Sequence, residues 1–214
     1  MAAFDGLRNR LQRIAPATSG RLTAFEFLLS GAAAGLVGWG GTQAIAWLDH
    51  ANGALLATAL WAVILGGFVG LTVRHAPDSV RFSDAMFAWG TVNTAAMALT
   101  VGGLLGVVPE QLAFWHSWVG ATAIGYCWTG GVLEGAGQPA RGRGYLGAGV
   151  VGLGLLAVGA VAFPPIAATG YLALAALHAG PMLLDVQTAL PALHRTGAVG
   201  VAVTAVLVAG VVTA

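Results

Sequence analysis

The sequence predicts an all-α, polytopic helical membrane protein, a bundle of about seven transmembrane helices with the N-terminus cytoplasmic and the C-terminus outside. Three observations predict it. Hydrophobic residues make up 57% of the chain and charged ones 8%, about a third of the roughly 25% charge of a soluble domain. Seven stretches reach the length of about 20 apolar residues needed to cross a ~30 Å hydrocarbon core: about 22–48, 54–73, 83–107, 112–134, 145–163, 166–187 and 196–214. All nine basic residues are arginines, and seven spans put every one of them on the same side. The positive-inside rule makes that side cytoplasmic, whereas six spans would break the segregation. The expected location is the cell membrane, with the lipid bilayer as the main partner.

Each element follows from its neighbours. Residues 1–21 hold Arg8, Arg10, Arg13 and Arg21 and read as a basic cytoplasmic arm or surface helix drawn to anionic headgroups. They are no signal peptide, because a full-length span follows instead of a short apolar core with a cleavage site. The first span ends near Trp47, Asp49 and His50, and the link after the second carries Arg74 and Arg81. Pro109 and Glu110 separate the third span from the fourth, Arg141 and Arg143 the fourth from the fifth, Pro164 and Pro165 the fifth from the sixth. Arg195 precedes the seventh. Period-two alternation is absent from all seven, so a barrel is not expected.

Glycine, at 33 residues, is dense enough to need a role. Gly31 and Gly35, Gly66 and Gly70, Gly102 and Gly106, and Gly131 and Gly135 each place small residues one turn apart, which lets helix backbones approach closely in lipid. The fifth span, with Gly147, Gly149, Gly152, Gly154 and Gly159, is expected to be central. Pro181 should bend the sixth span or free the carbonyl of Leu177.

Ionisable groups inside spans are costly and therefore functional candidates. At 100° per residue, His116, Cys127 and Glu134 share one face of the fourth span, and Tyr171, His178 and Asp185 share one face of the sixth. Asn93 lies mid-span in the third, with Asp84 at its start and Glu26 one turn into the first. The carboxylates Glu26, Asp84, Glu134 and Asp185 all fall near the arginine side, where Arg21, Arg81, Arg141 or Arg195 can pair with them. A single cysteine, Cys127, leaves no internal disulfide or cysteine-only metal site, and no metal is predicted.

Three short fragments are similar to known families. Arg81-Phe82-Ser83-Asp84-Ala85 resembles the arginine and FSDA signature of lysosomal-type potassium channels, and also the third helix of microbial rhodopsins. Leu184-Asp185-Val186 is similar to the last rhodopsin helix. Leu48-Asp49-His50-Ala51 resembles a segment of the seven-span hemolysin III and adiponectin-receptor family. A retinal Schiff base needs a lysine, and this chain has none. The zinc site of the adiponectin-receptor family needs histidines on its last helix, and 196–214 has none. No functional residue is carried over from these fragments.

The function these features predict is transport: a small-solute, ion or proton transporter or channel with its polar path along spans four and six, and His178 as a proton-sensitive relay. One alternative is a membrane redox subunit binding quinone or haem b, with His116 and His178 as the candidate haem ligands, although the two differ in depth by roughly 10 Å. Another is a structural subunit of a larger membrane complex or a homo-oligomer. An enzyme is the least favoured class, since HExxH and GxSxG are both absent. The arginines have no aromatic partners spaced among them, so nucleic acid is not an expected partner.

Overall fold

The computed structural model describes residues 22–48, 51–161 and 169–188. All regular structure among them is helical. Helix α1 spans Ala24–Trp47, α2 Gly53–His75, the single turn α3 Asp78–Arg81, and α4 Asp84–Leu104. A π-helical turn, Leu112–His116, runs directly into α5, Ser117–Gly135, followed by α6, Pro139–Val161, and α7, Gly170–Thr188. The expected arm 1–21, the Pro164-Pro165 turn, Arg195 and the stretch 196–214 lie outside the described residues.

Local chemistry sets the helix ends. Thr23 and Glu26 form a capping box, with Thr23 Oγ1 accepting from the Glu26 amide at 3.2 Å and the Thr23 amide donating to Glu26 Oε2 at 2.8 Å. Ser83 caps α4 by accepting from the Met86 amide. At the other ends, α4 and α5 stop in Schellman turns at Gly106 and Gly137, whose φ values of 72° and 75° suit glycine. The closing bonds are Val107 N–H to the Gly102 carbonyl and Gln138 N–H to the Leu133 carbonyl, both at 2.9 Å.

After that second turn the chain re-enters a helix at once. The sequence predicts a loop through Arg141 and Arg143, with the next helix from about 145. The helix in fact begins at Pro139, because proline at the first helical position loses no hydrogen bond and has its φ already set. Both arginines therefore stand on α6.

The long helices alternate in direction. One end of the bundle collects Arg74, Arg81, Arg141 and Arg143, and the opposite end holds the α1–α2 and α4–α5 links. Within it α5 packs against α6 and α4, α1 against α7 and α2, and α7 also touches α6. The α5–α6 seam is built on missing side chains. A Cβ at Gly142 would fall 2.8 Å from the Gly130 carbonyl oxygen, and one at Gly149 would fall 2.9 Å from the Cys127 amide nitrogen. Gly152 meets Ala123 in the same way.

Most of the packed glycines on α6 face α5, while Gly152 also meets Leu177 of α7 and Gly159 meets Trp115 of the π turn. The expectation that this helix is central is corrected by its opposite side, where Val150, Val151 and Val158 are exposed and Gly147 and Gly154 have open space. Gly66, Gly70, Gly131 and Gly135 likewise face open space among the described residues, whereas Gly31 and Gly35 pack against α7.

The largest side chains gather toward the end opposite the arginines. Trp39, Trp61, Trp115 and Trp118 form the buried core, with Trp39 and Trp61 ring centroids 4.4 Å apart and Trp61 stacked on Trp118 at 5.8 Å. Threonines satisfy two of the indoles: Trp61 Nε1 donates to Thr42 Oγ1 at 3.1 Å and Trp118 Nε1 to Thr100 Oγ1 at 2.9 Å. The outward face is apolar, with Val63 75% exposed on α2 and Val161 86% exposed on α6. Among the described residues, two helices, Gly53–His75 and Pro139–Val161, are long and apolar enough to cross a membrane.

Candidate functional site

Tyr171, His178 and Asp185 stand seven residues apart, about 10 Å per step along a helix, and their face of α7 is turned into the bundle. Near the end opposite the arginines, the Tyr171 ring lies parallel to Trp39 at 6.0 Å and edge-on to Trp115 at 5.8 Å. Its amide donates to Oε1 of the fully buried Gln43 at 3.1 Å. That bond satisfies an amide in the first turn of α7, where no helical carbonyl is available.

One step further, His178 packs against α1 where Gly35 leaves room. A Cβ at position 35 would fall 2.2 Å from His178 Cδ2. The imidazole lies 5.8 Å from the Trp89 ring of α4, and its Nδ1 is buried without a hydrogen-bond partner among the described residues. Trp89 is itself fixed, its Nε1 donating to Thr129 Oγ1 at 3.1 Å. The His178 carbonyl accepts the hydroxyl of Tyr126, a residue of α5 with no exposed surface. Pro181 lies within the helix and cannot donate to the neighbouring Leu177 carbonyl, so the backbone is unusually open to outside partners here.

At the third step Asp185 closes the arginine end. Its Oδ1 accepts from Arg141 Nε at 2.5 Å and its Oδ2 from Arg141 Nη2 at 2.6 Å, a bidentate pair. Tyr145, one turn along α6 from Arg141, donates its hydroxyl to the same Oδ2 at 2.9 Å. The Asp185 side chain is 5% exposed and that of Arg141 38%, so one partner is sealed and the other reaches solvent. Gln138 Oε1 takes a further donor of Arg141. The Tyr145 and Tyr126 rings lie 5.6 Å apart, which links this closure to the His178 level.

All three tyrosines of the chain thus belong to this one line. Spacing alone groups Tyr171 with His178 and Asp185 but misses Tyr126 and Tyr145. The signal that finds them is their scarcity together with position, since Tyr145 lies four residues beyond Arg141 on a common helix face.

The other candidates sit elsewhere. Cys127 and Glu134 face α6: a Cβ at Gly149 would fall 2.4 Å from Cys127 Sγ, and one at Gly142 would fall 2.4 Å from Glu134 Cγ. They belong to the helix seam rather than the α7 line. Glu26 is exposed and caps α1. Asp84 is exposed in the first turn of α4, and Asn93 is half-buried at mid-helix. Arg81 takes Asp78 as its ion-pair partner at 2.8 Å and also donates to the Val73 carbonyl, tying α3 back to α2.

His116 ends the π turn, its Nδ1 3.1 Å from the Gln111 carbonyl oxygen. It neighbours Trp115, level with Tyr171, so His178 stands about one seven-residue step deeper. The fold does not bring these two histidines together.

Beside Tyr171 the bundle opens into a cavity of about 500 Å³ between α1, the start of α2, the π turn and α7. Its walls include Trp39, Phe114, Trp115, Trp118 and Tyr171, with Glu110 and Gln111 also lining it. The α7 line therefore has an open cavity at one end and an ion-paired closure at the other. No protein-family model, curated protein or solved structure matches this chain.

Proposed function

We propose that the chain is a seven-span membrane protein that moves a small solute or ion along the inward face of α7, with its arginine end in the cytoplasm. The observation that carries this reading is the α7 line itself: Tyr171, an orphaned His178 imidazole nitrogen and a buried, ion-paired Asp185 in register inside an apolar bundle. Buried polar groups of this kind are expensive, and in membranes they mark solute and proton pathways.

Three further features support the reading. Helices of 19 to 24 residues are about 28–36 Å long at 1.5 Å per residue, which suits a hydrocarbon core. Large aliphatic side chains face outward while the polar groups of the line face inward, as lipid requires and water does not. Arg74, Arg81, Arg141 and Arg143 gather at one end, where the positive-inside rule puts the cytoplasm.

Described this way, the conformation is open to the far side through the aromatic cavity and shut toward the cytoplasm by Arg141, Asp185 and Tyr145. Transport requires that this closure open, and the partly exposed Arg141 is the side able to leave. His178 sits between the two ends, its free nitrogen able to accept a proton or a hydrogen-bond donor passing along the line.

The test is flux in proteoliposomes, with a trapped pH indicator for protons and a radiolabelled monovalent cation for ions. Wild-type flux above protein-free liposomes, lowered about tenfold or more in His178→Ala or Asp185→Asn, is the expected result. Flux unchanged in both variants removes the α7 line. A Soret band in the purified protein, lost with His116 or His178, replaces transport by a redox role.

A further inference from the structure

We infer that the cavity beside Tyr171 binds an organic ammonium ion, a cation whose charge is buried in methyl or methylene groups. Its wall composition argues for this. Five of the thirteen lining residues, Trp39, Phe114, Trp115, Trp118 and Tyr171, are aromatic, against 8% of the chain. The single charged residue on the lining is Glu110, which is exposed. No arginine or histidine lines the cavity, and Arg74, Arg81, Arg141 and Arg143 lie at the opposite helix ends, so among the described residues no basic side chain competes with a guest cation. Aromatic faces attract cations through the ring quadrupole, and sites of several such rings suit quaternary ammonium groups, whose methyl shell is cheap to desolvate. An acidic group on the same lining supplies the counter-charge.

Size and rigidity agree with this occupant. A cavity of about 500 Å³ lies within the ordinary range of small-molecule sites, roughly 300–1,000 Å³. The rings are held before any guest arrives: Tyr171 by Trp39 and Trp115, Trp118 by its bond to Thr100. Phe114 and Trp115 come from the π turn, a rare backbone form found often at functional sites. Both residues line the cavity, and the Gly159 position of α6 leaves space for the Trp115 indole edge. An alkali cation would keep its water shell in such walls, and an anion would meet Glu110.

The cavity is the far mouth of the α7 line. That the ion is a substrate therefore rests on the transport reading, but that it binds does not. The experiment is a fluorescence titration of the detergent-purified protein, whose cavity tryptophans report occupancy. Choline chloride is the probe, 3,3-dimethylbutan-1-ol the neutral molecule of matching shape, and sodium chloride the ionic-strength control. Saturable quenching by choline is expected, with the alcohol binding about tenfold or more weakly. Glu110→Gln, which keeps the size of an exposed side chain, and Phe114→Leu should each weaken choline by about fivefold to tenfold. Equal affinity for choline and the alcohol, or no saturable response to choline, overturns the proposal. Choline binding without flux in liposomes keeps the site and removes transport, whereas flux without choline binding does the reverse.

Discussion

Asp185 of α7 and Arg141 of α6 meet in two parallel hydrogen bonds of 2.5 Å and 2.6 Å, although they are 44 residues apart in the chain. The two sides of this pair differ in burial, the carboxylate at 5% exposure and the guanidinium at 38%. Removing either partner therefore has unequal consequences. In Asp185→Ala, Arg141 can turn to solvent, but in Arg141→Ala a carboxylate stays sealed beside Tyr145 without its cation.

Arg141→Ala is expected to destabilise the protein more than Asp185→Ala. Breaking a fully buried pair costs roughly 3–5 kcal/mol, and partial exposure of the arginine reduces this to about 2 kcal/mol for Arg141→Ala and about 1 kcal/mol for Asp185→Ala. Thermal unfolding in detergent reads the order. Equal midpoints for the two variants would contradict the asymmetry.

The glycine seam makes a second prediction. Gly142→Ala drives a methyl against the Gly130 carbonyl and the Glu134 backbone, an overpacking worth about 1–3 kcal/mol. Gly147→Ala, on the same helix with open space around it, should be neutral or stabilising by up to about 1 kcal/mol. A comparable loss in both variants would mean that α6 packs on its other face as well.

A third concerns the tryptophan core. Thr100→Val keeps the side-chain shape but leaves the buried Trp118 indole N–H without its acceptor, at a cost of about 1–3 kcal/mol. Thr100→Ser keeps the hydroxyl and should lose less than half as much. If valine and serine unfold at the same temperature, the hydrogen bond is not what holds Trp118.

Much of this architecture is legible in the sequence because membrane-length apolar runs dominate it. The stretch 22–48 forms α1 at Ala24–Trp47, and 166–187 forms α7 at Gly170–Thr188. The heptad spacing of Tyr171, His178 and Asp185 correctly groups them on one face, since that grouping depends only on the helical repeat. What the repeat does not contain is which helix a face meets. His116, Cys127 and Glu134 show the same regular spacing, yet Cys127 and Glu134 turn to the glycines of α6. Arg141 is one of several cations available to Asp185 by position, and only the early start of α6 at Pro139 selects it. The aromatic cavity is invisible for the same reason, because its walls come from α1, the π turn, α5 and α7.

Cysteine accessibility in liposomes tests the central claim most directly. In a Cys127→Ser background, Tyr171→Cys, His178→Cys and Val63→Cys are each exposed to a membrane-impermeant thiol reagent, with Arg143→Cys marking the arginine side. The predicted result is fast labelling of Tyr171→Cys from the side opposite Arg143→Cys, slower labelling of His178→Cys from that same side, and none of Val63→Cys, whose 75% exposed side chain would face lipid on the proposed reading. Labelling of Val63→Cys as fast as Tyr171→Cys, or of Tyr171→Cys only from the arginine side, would contradict a membrane-embedded line running along α7.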